Sequence, residues 1–531
     1  MTFCRSDASV PSVFSVFSVL SVLSVLSVST VPLVAQTFPI KQKDFSAYVT
    51  RALETFKTPG AAVAVVKDGK VVLLQGFGVR RMGDTTKVDA NTNFAIASLS
   101  KAFTAATIAQ LVDEGKLTWD TKVVDVLPGF RLYDAYVTQE LTIRDILSHR
   151  SGLGLGGGDM LWMYSNFTAP EMVAQIRHLK PASSFRSRYA YQNLMFLVAG
   201  QVVEQVTQKP WDQVVAERIF TPLGMTRTTT SVSRQPADSN IATPHAEIDG
   251  TLRIVPYDTV DNIRPVGGIN SSVSDMTRWM IAQLDSGRTG SGQVWSPASA
   301  REMWAPQTLQ RIGNPAGPLT ALRANFAAYG LGWALRDYRG RKLVTHTGGL
   351  AGMTSRLLLV PEERLGILVL TNQQSALSDA VTWRILDAYL GAPPTDWIVA
   401  YQQVVGVTDN SADSLMKARD AGRDSTSGPS LPVGKYAGTW RDAMLGDAVI
   451  TEESGQLVMR LSRNPAFVGD MKHYQHDTFK IIWRDLRLAD AFATFALEPD
   501  GTLRDLRLAA ISPLADFSFD YQDLLYLPVR R

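Results

Sequence analysis

The chain reads as an α+β protein: an antiparallel sheet flanked by helices, with a helical block between its strands, followed by a small all-β domain. Three observations predict this. β-prone runs lie at both ends of residues 40–392, and helical periodicity fills the middle. Turn residues break up the later runs at short intervals, as in a meander. Beyond residue 434 the pattern changes to alternation, the mark of half-buried strands.

Each element follows from local chemistry. Asp44 to Phe56 has the spacing of an amphipathic helix. Ala61–Val66 and Val71–Phe77 flank Asp68-Gly69, a hairpin signal. Thr142-Ile-Arg-Asp145 is a capping box opening a short helix that stops at the glycine-rich loop Ser151–Gly158. A helix from Asn193 to Val206 carries Leu197, Val198, Gln201 and Val202 at helical spacing, and Pro210 suits the first residue of the next helix. Ser272-Val-Ser-Asp275 is a second capping box, opening a helix through Leu284. Leu331–Arg336, Leu343–Thr347, Thr354–Val360 and Gly366–Leu370 then read as strands, and Ser375–Leu390 as a closing helix. The first hairpin is expected to join these last strands in one sheet.

Ala412–Gly434 is polar, with few large apolar residues, so 393–434 is expected to be a helix and a linker. In 435–531, Leu457, Met459 and Leu461 share one face, as do Phe479, Ile481 and Trp483. This predicts a partly closed barrel or sandwich.

A length of 531 residues exceeds one ordinary core, and 45% hydrophobic with 19% charged residues allows a substantial interior. The net charge of +3, without a basic run, argues against nucleic acid as a partner. Residues 1–35 read as a secretory signal peptide, with an uncleaved anchor or a misassigned start codon as the alternatives: the low-complexity run Val10–Val34 closes on Leu33-Val34-Ala35, with cleavage expected after Ala35. A secreted or periplasmic location follows. The one cysteine, Cys4, lies in that leader, so the processed chain would have no disulfide, thiol nucleophile or cysteine-held metal. No later segment has the apolar length of a membrane span. Oligomeric state stays open.

Three motifs carry chemistry. In Ser98-Leu-Ser-Lys101 the serine and lysine fall one helical turn apart. A desolvated Lys101 could take the Ser98 proton, and a helix N-terminus would favour the developing alkoxide. Tyr191-Gln-Asn193 offers a phenol near that hydroxyl and a carboxamide to orient lysine and substrate. His346-Thr347-Gly348, followed by Gly349, lies on a predicted strand whose edge a substrate backbone can approach. The backbone amides of Ser98 and Gly349 are the expected oxyanion hole. No metal or other cofactor is expected. The partner is expected to be a small-molecule or peptide substrate.

Each motif also has a plainer reading. Ser414-Leu-Met-Lys417 and Tyr164-Ser-Asn166 match the first two patterns equally well in isolation. Tyr191 could be a packing tyrosine with Asn193 as a helix N-cap, and a lone histidine is more often structural than catalytic. Core residues behind Ser98, the apolar helix after Tyr191 and the glycines after His346 favour the catalytic reading. His473-x-x-His476 lacks a third metal ligand, and no Lys-Ser or Lys-Thr follows Gly152–Gly158, so that loop is expected to be a mobile rim near the pocket.

At these residues the chain resembles the serine β-lactamase-related family, which includes class C β-lactamases, D-alanyl-D-alanine carboxypeptidases, D-aminopeptidases and family VIII esterases. The resemblance covers roughly 40–392 and extends to Ile146-Leu-Ser-His-Arg-Ser-Gly-Leu153 and Pro265-Val-Gly-Gly-Ile-Asn-Ser-Ser272. It implies a β-lactamase/transpeptidase-like fold. Ser98 is then the acylated nucleophile, Lys101 and Tyr191 the proton-handling pair, and Asn193, His346, Thr347 and Gly348 substrate-orienting groups. Class C β-lactamases carry Lys-Thr-Gly at the third motif. An imidazole is a weaker anchor for a β-lactam carboxylate, so an ester or a D-residue peptide is the expected substrate. A β-lactamase, or a non-catalytic penicillin-binding or peptidoglycan-sensing protein, is the alternative. Residues 435–531, with Tyr436-Ala-Gly-Thr-Trp440, are similar to an uncharacterised β domain often fused to such hydrolases.

Overall fold

The computed structural model describes residues 38–529 apart from positions 237, 291 and 316; the predicted signal peptide and Cys4 lie outside them. After helix α1 (Gln42–Thr55) the chain forms the hairpin β1 (Gly60–Lys67) and β2 (Lys70–Gly78). Its turn residues Asp68 and Gly69 both have positive φ, 51° and 73°. A tight two-residue hairpin turn needs that geometry.

The remaining strands of this sheet come from late in the chain: β3 (Ala327–Tyr329), β4 (Ala334–Tyr338), β5 (Arg341–Leu350), β6 (Met353–Val360) and β7 (Leu365–Thr371). Their order is β2-β1-β7-β6-β5-β4-β3, with the two-residue strand Thr308–Leu309 at the far edge. β1 pairs antiparallel with β7 from Ala61↔Thr371 to Lys67↔Leu365, so the first hairpin joins the last strands.

All eight residues of β1 are buried, because both sheet faces are covered. Ala61, Val63 and Val65 pack with Phe45 and Val49 of α1 and with Trp383. Ala62, Ala64 and Val66 face the opposite core, shared with the helical block. That block contains α2 (Ser100–Asp113), α3 (Asn193–Thr207) and α4 (Val273–Leu284). Phe103 of α2 stacks on Trp279 of α4 with ring centroids 3.8 Å apart.

The Thr142 capping box forms in full. The second forms by half. Ser272 accepts the Asp275 N–H, but the Asp275 carboxylate instead takes the Arg227 N–H at 2.8 Å and the Thr228 hydroxyl at 2.9 Å. A distant loop with unsatisfied donors outcompetes the local cap.

The closing helix is α5 (Leu377–Tyr389), and α6 runs from Trp397 to Ala421. The expected linker is therefore helical over its first ten residues. Its composition is polar, but residues 407–421 contain no Gly or Pro and many good helix formers. The decoy Ser414 sits on this helix and donates its hydroxyl to the Asn410 carbonyl.

The C-terminal domain is all β: β8 (Gly438–Asp442), β9 (Gly446–Glu453), β10 (Gln456–Leu461), β11 (Val468–Gln475), β12 (Thr478–Trp483), β13 (Ala491–Leu497), β14 (Leu503–Ala510) and β15 (Leu527–Pro528). The order is β14-β13-β12-β11-β10-β9-β8-β15, and a bridge from Leu506 to Tyr526 brings the two ends together into a nearly closed barrel. His473 uses Nε2 on the His476 carbonyl, 2.8 Å away.

Candidate active site

Ser98 lies on a one-turn 3₁₀ helix (Ala97–Leu99) that leads directly into α2. The turn is sharp: Ala97 has φ 48°, a left-handed conformation that costs a non-glycine residue about 1–2 kcal/mol. Surrounding contacts hold it there. The Ser355 hydroxyl donates to Ile96 O at 2.7 Å, and Ile96 N–H donates to Ile269 O at 3.0 Å. On β5, Gly348 lies so close that a β-carbon would stand 2.3 Å from Ile96 O and 3.0 Å from Ala97 Cβ. Any larger residue at 348 would push the Ser98 turn off the strand.

The first turn of α2 aims Lys101 back at Ser98. Its Nζ is 2.9 Å from Ser98 Oγ, 2.8 Å from Asn193 Oδ1 and 3.4 Å from the Val266 carbonyl. The side chain is fully buried. Burial pulls its pKa from 10.5 down to about 7, against an opposing pull from the Asp159 carboxylate. The shift corresponds to roughly 5 kcal/mol against the charged form.

Asn193 opens α3, where Gln192 rather than Asn193 occupies the N-cap position without a side-chain cap bond. The Asn193 carboxamide is thereby left free to bridge. Its Oδ1 accepts from Lys101 while its Nδ2 donates to Asp159 Oδ2 at 2.7 Å. Asp159 is itself buried, and desolvation raises its pKa to about 7.

Tyr191 completes the group. Its hydroxyl lies near enough to Ser98 for the serine to favour the phenolate, and its ring centroid is 4.8 Å from Lys101 Nζ. Burial holds the phenol well above its ordinary pKa, so it keeps its proton. The rival Tyr164 gives its hydroxyl to Asp258 Oδ1 at the edge of the same cleft.

The third motif lies on β5, where pairing with β4 ends at Ala334↔Thr345 while pairing with β6 continues to Leu350↔Met353. Residues 346–350 thus keep one strand edge open, and Thr347 and Gly349 are exposed in the cleft. His346 is nearly buried and committed. Nδ1–H donates to the Thr347 carbonyl at 2.6 Å, and Nε2 accepts from the Tyr329 hydroxyl at 2.9 Å. Burial and the nearby Lys101 push its pKa down to about 3, leaving a neutral ring. The structure therefore gathers Ser98, Lys101, Tyr191 and Asn193, and sets the imidazole of His346 on Tyr329.

Several residues of the site were not singled out. Asp159 directly follows the glycine cluster, and His149 sits inside the Leu-Ser-His-Arg-Ser-Gly-Leu segment; both signals were in the sequence. His149 accepts the Gln192 N–H at 3.0 Å and stacks its neutral ring 4.4 Å from Tyr191. Tyr329 had no local signal.

Nor did the contribution of the C-terminal domain. Asp520 accepts the N–H groups of Gly158 and Met160 at 2.5 and 2.9 Å, so the amides on both sides of Asp159 are held from that domain. Asn464 donates to the carbonyls of Met160 and Met163, each at 2.8 Å. The glycine loop borders the pocket as expected, and these bonds pin it. Ser518 lies near enough to Asp159 to favour its anion, and the Phe517 ring meets Tyr191 edge-on at 5.8 Å. Both domains line the resulting cleft of about 830 Å³.

Comparison with known proteins agrees with this architecture. Residues 45–392 match the β-lactamase family, and 422–526 match a domain of unknown function, DUF3471. An unguisins hydrolase of Aspergillus campestris is 29% identical over 497 residues, 87% of this chain and 88% of that one. Penicillin-binding protein 4 of Amycolatopsis lactamdurans is 32% identical over 330 residues, 60% of this chain and 82% of that one. The octameric penicillin-binding protein homologue from Pyrococcus abyssi shares the fold, with a TM-score of 0.60 at 20% identity over 92% of this chain and 100% of that one. With its matching segment spanning most of the length and its hydrolase-named and penicillin-binding relatives, the chain belongs to the β-lactamase family.

Proposed function

We propose that the protein is a serine hydrolase that cleaves an ester, or a peptide or amide containing a D-amino acid, through an acyl-enzyme. One observation carries this reading: a fully buried lysine, drawn toward neutrality, within hydrogen-bond distance of a serine hydroxyl at a helix start. A lysine serving only structure has no need of that arrangement, since burying an amine is costly without a partner charge.

The chemistry follows from the geometry. Ser98 Oγ attacks the substrate carbonyl carbon as its proton passes to neutral Lys101 Nζ. The amides of Ser98 and Gly349 receive the oxyanion. The Tyr191 phenol, which retains its proton, relays one to the leaving oxygen or nitrogen as that bond breaks. The acyl group then stays on Ser98 until water, deprotonated by the same pair, attacks and releases the acid. Asn193 holds Lys101 in place, and the exposed Thr347 hydroxyl and the open strand edge at 346–350 align the substrate backbone.

The neutral His346, with both ring nitrogens engaged, argues against efficient β-lactam turnover, since it offers no charge to a β-lactam carboxylate. Export after cleavage behind Ala35 accompanies this reading, and N-terminal sequencing of the secreted form checks it. The functional test is covalent labelling by a fluorophosphonate, with turnover of p-nitrophenyl esters, D-alanyl peptides and nitrocefin measured in parallel. Labelling that Ser98→Ala abolishes, with ester or D-peptide turnover exceeding nitrocefin turnover, is the expected result. Labelling of Ser98→Ala as strong as wild type would remove Ser98 from the role. Labelling without any turnover would favour a penicillin-binding sensor.

A further inference from the structure

The cleft is lined by two cations, Arg356 and Arg487, and two carboxylates, Asp258 and Asp516, and they are not equally free. The cations on its wall are already committed. Arg356 pairs with Asp379. Arg487 lies 3.3 Å from Asp258 and 2.7 Å from Asp485. Lys101 is consumed by Ser98 and Asn193, and His346 is neutral. A substrate carboxylate entering this space would meet no uncommitted cation among the described residues.

A substrate cation would be received differently. Asp516 of the C-terminal domain lines the same cleft, exposed, and no cation pairs with it among the described residues. One of its oxygens accepts the Ser518 N–H at 2.9 Å, which fixes the carboxylate's direction. Its negative charge is felt at the Tyr191 hydroxyl, so it lies within electrostatic reach of the reacting centre. Next to it Phe517 is 39% exposed, and Tyr189 adds further aromatic surface to the wall, whereas the Tyr164 ring already carries the Arg487 guanidinium 4.5 Å from its centroid. A carboxylate beside aromatic faces is the pairing that recognises an ammonium group, through charge and through the ring quadrupole.

We propose that Asp516 and the aromatic wall around Phe517 form a subsite for an ammonium group on the substrate, so that the C-terminal domain selects amine-bearing esters or peptides over acidic ones. This rests on the hydrolase reading for its kinetic consequence, though not for binding.

Two experiments on the full chain test it. The first measures kcat/KM for aryl esters of 4-(aminomethyl)benzoic acid, of its N-acetyl derivative and of terephthalic acid. Wild type is expected to prefer the ammonium ester over the acetamide by about threefold to tenfold, and the carboxylate ester is expected to be poorest. Asp516→Asn should collapse the ammonium-to-acetamide ratio toward one, and Asp516→Lys should favour the carboxylate ester. A ratio that these substitutions leave unaltered overturns the proposal, even with ester turnover intact. The second needs no chemistry: calorimetric binding of 4-(aminomethyl)benzamide and its N-acetyl form to Ser98→Ala. Tighter binding of the amine, lost when Asp516→Asn is added, supports the subsite even if every ester goes unhydrolysed. Equal binding of the two ligands overturns it.

Discussion

The interior around Lys101 and the rim built by residues 514–520 meet at one cleft and are organised in opposite ways. Around Lys101 the polar atoms are out of water and tied in sequence: Ser98, Lys101, Asn193, Asp159. At the rim, Leu514, Asp516 and Phe517 are exposed and free to meet a ligand. Low dielectric strengthens each bond in the first set and makes any loss there expensive. Solvent screens the second, so losses there are small and depend on the ligand. In the proposed reading, the difference sets bond-making in the first domain and adds a selecting rim from the second.

The contrast can be broken most severely from the inside. Ser98→Ala and Lys101→Ala should each lower kcat/KM by about a thousandfold or more, because residues acting as one unit fail together. The double variant should then be little worse than either single one. Additive losses, measured with one neutral aryl ester, would show that the two act separately.

Asp520→Ala lies between the two regions. It strips two buried amides of their acceptor, each worth about 1–3 kcal/mol, offset in part because a carboxyl held well above its usual pKa is no longer buried. A lower Tm is expected, together with a fall in kcat larger than the rise in KM, since the amides flank Asp159. A change in KM alone would make the contact mere packing. Phe517→Ala should raise KM several-fold and leave kcat nearly constant. An equal fall in kcat would mean that Phe517 holds Tyr191 in position.

The pH profile sharpens the comparison most finely. Lys101 acts as a base only when neutral, so kcat/KM should fall below pH about 7 as the amine gains its proton, and level off above. His346, held at about 3, should add no inflection near 6.5. The Asp159 anion favours the ammonium form of Lys101, so Asp159→Asn should move the acidic limb to lower pH. A limb that moves upward or stays still would detach Asp159 from the lysine.

Much of the fold was legible because it is local. Asp68-Gly69 set the hairpin, Thr142 and Asp145 a complete cap, and the apolar spacing after Asn193 a helix. The failures share a cause. Asp275 left its expected cap for Arg227 and Thr228, partners that no local window contains. Helix α6 took in ten residues of the expected linker, since polarity says where solvent is and only breakers say where a helix stops.

At the site, the residue types and their order along the chain pointed by themselves to serine, lysine and tyrosine chemistry, because the Ser-x-x-Lys spacing is a property of one helical turn. Only the tertiary structure decided what that lysine is worth. Its proton affinity depends on burial, on Asn193 and on Asp159, brought in from other segments. The partner of His346 is likewise Tyr329, on a strand near the sheet's far edge, and the two amides beside Asp159 are held by Asp520 of the second domain. Desolvation and long-range hydrogen bonds arise from the packed interior, and no stretch of sequence contains them.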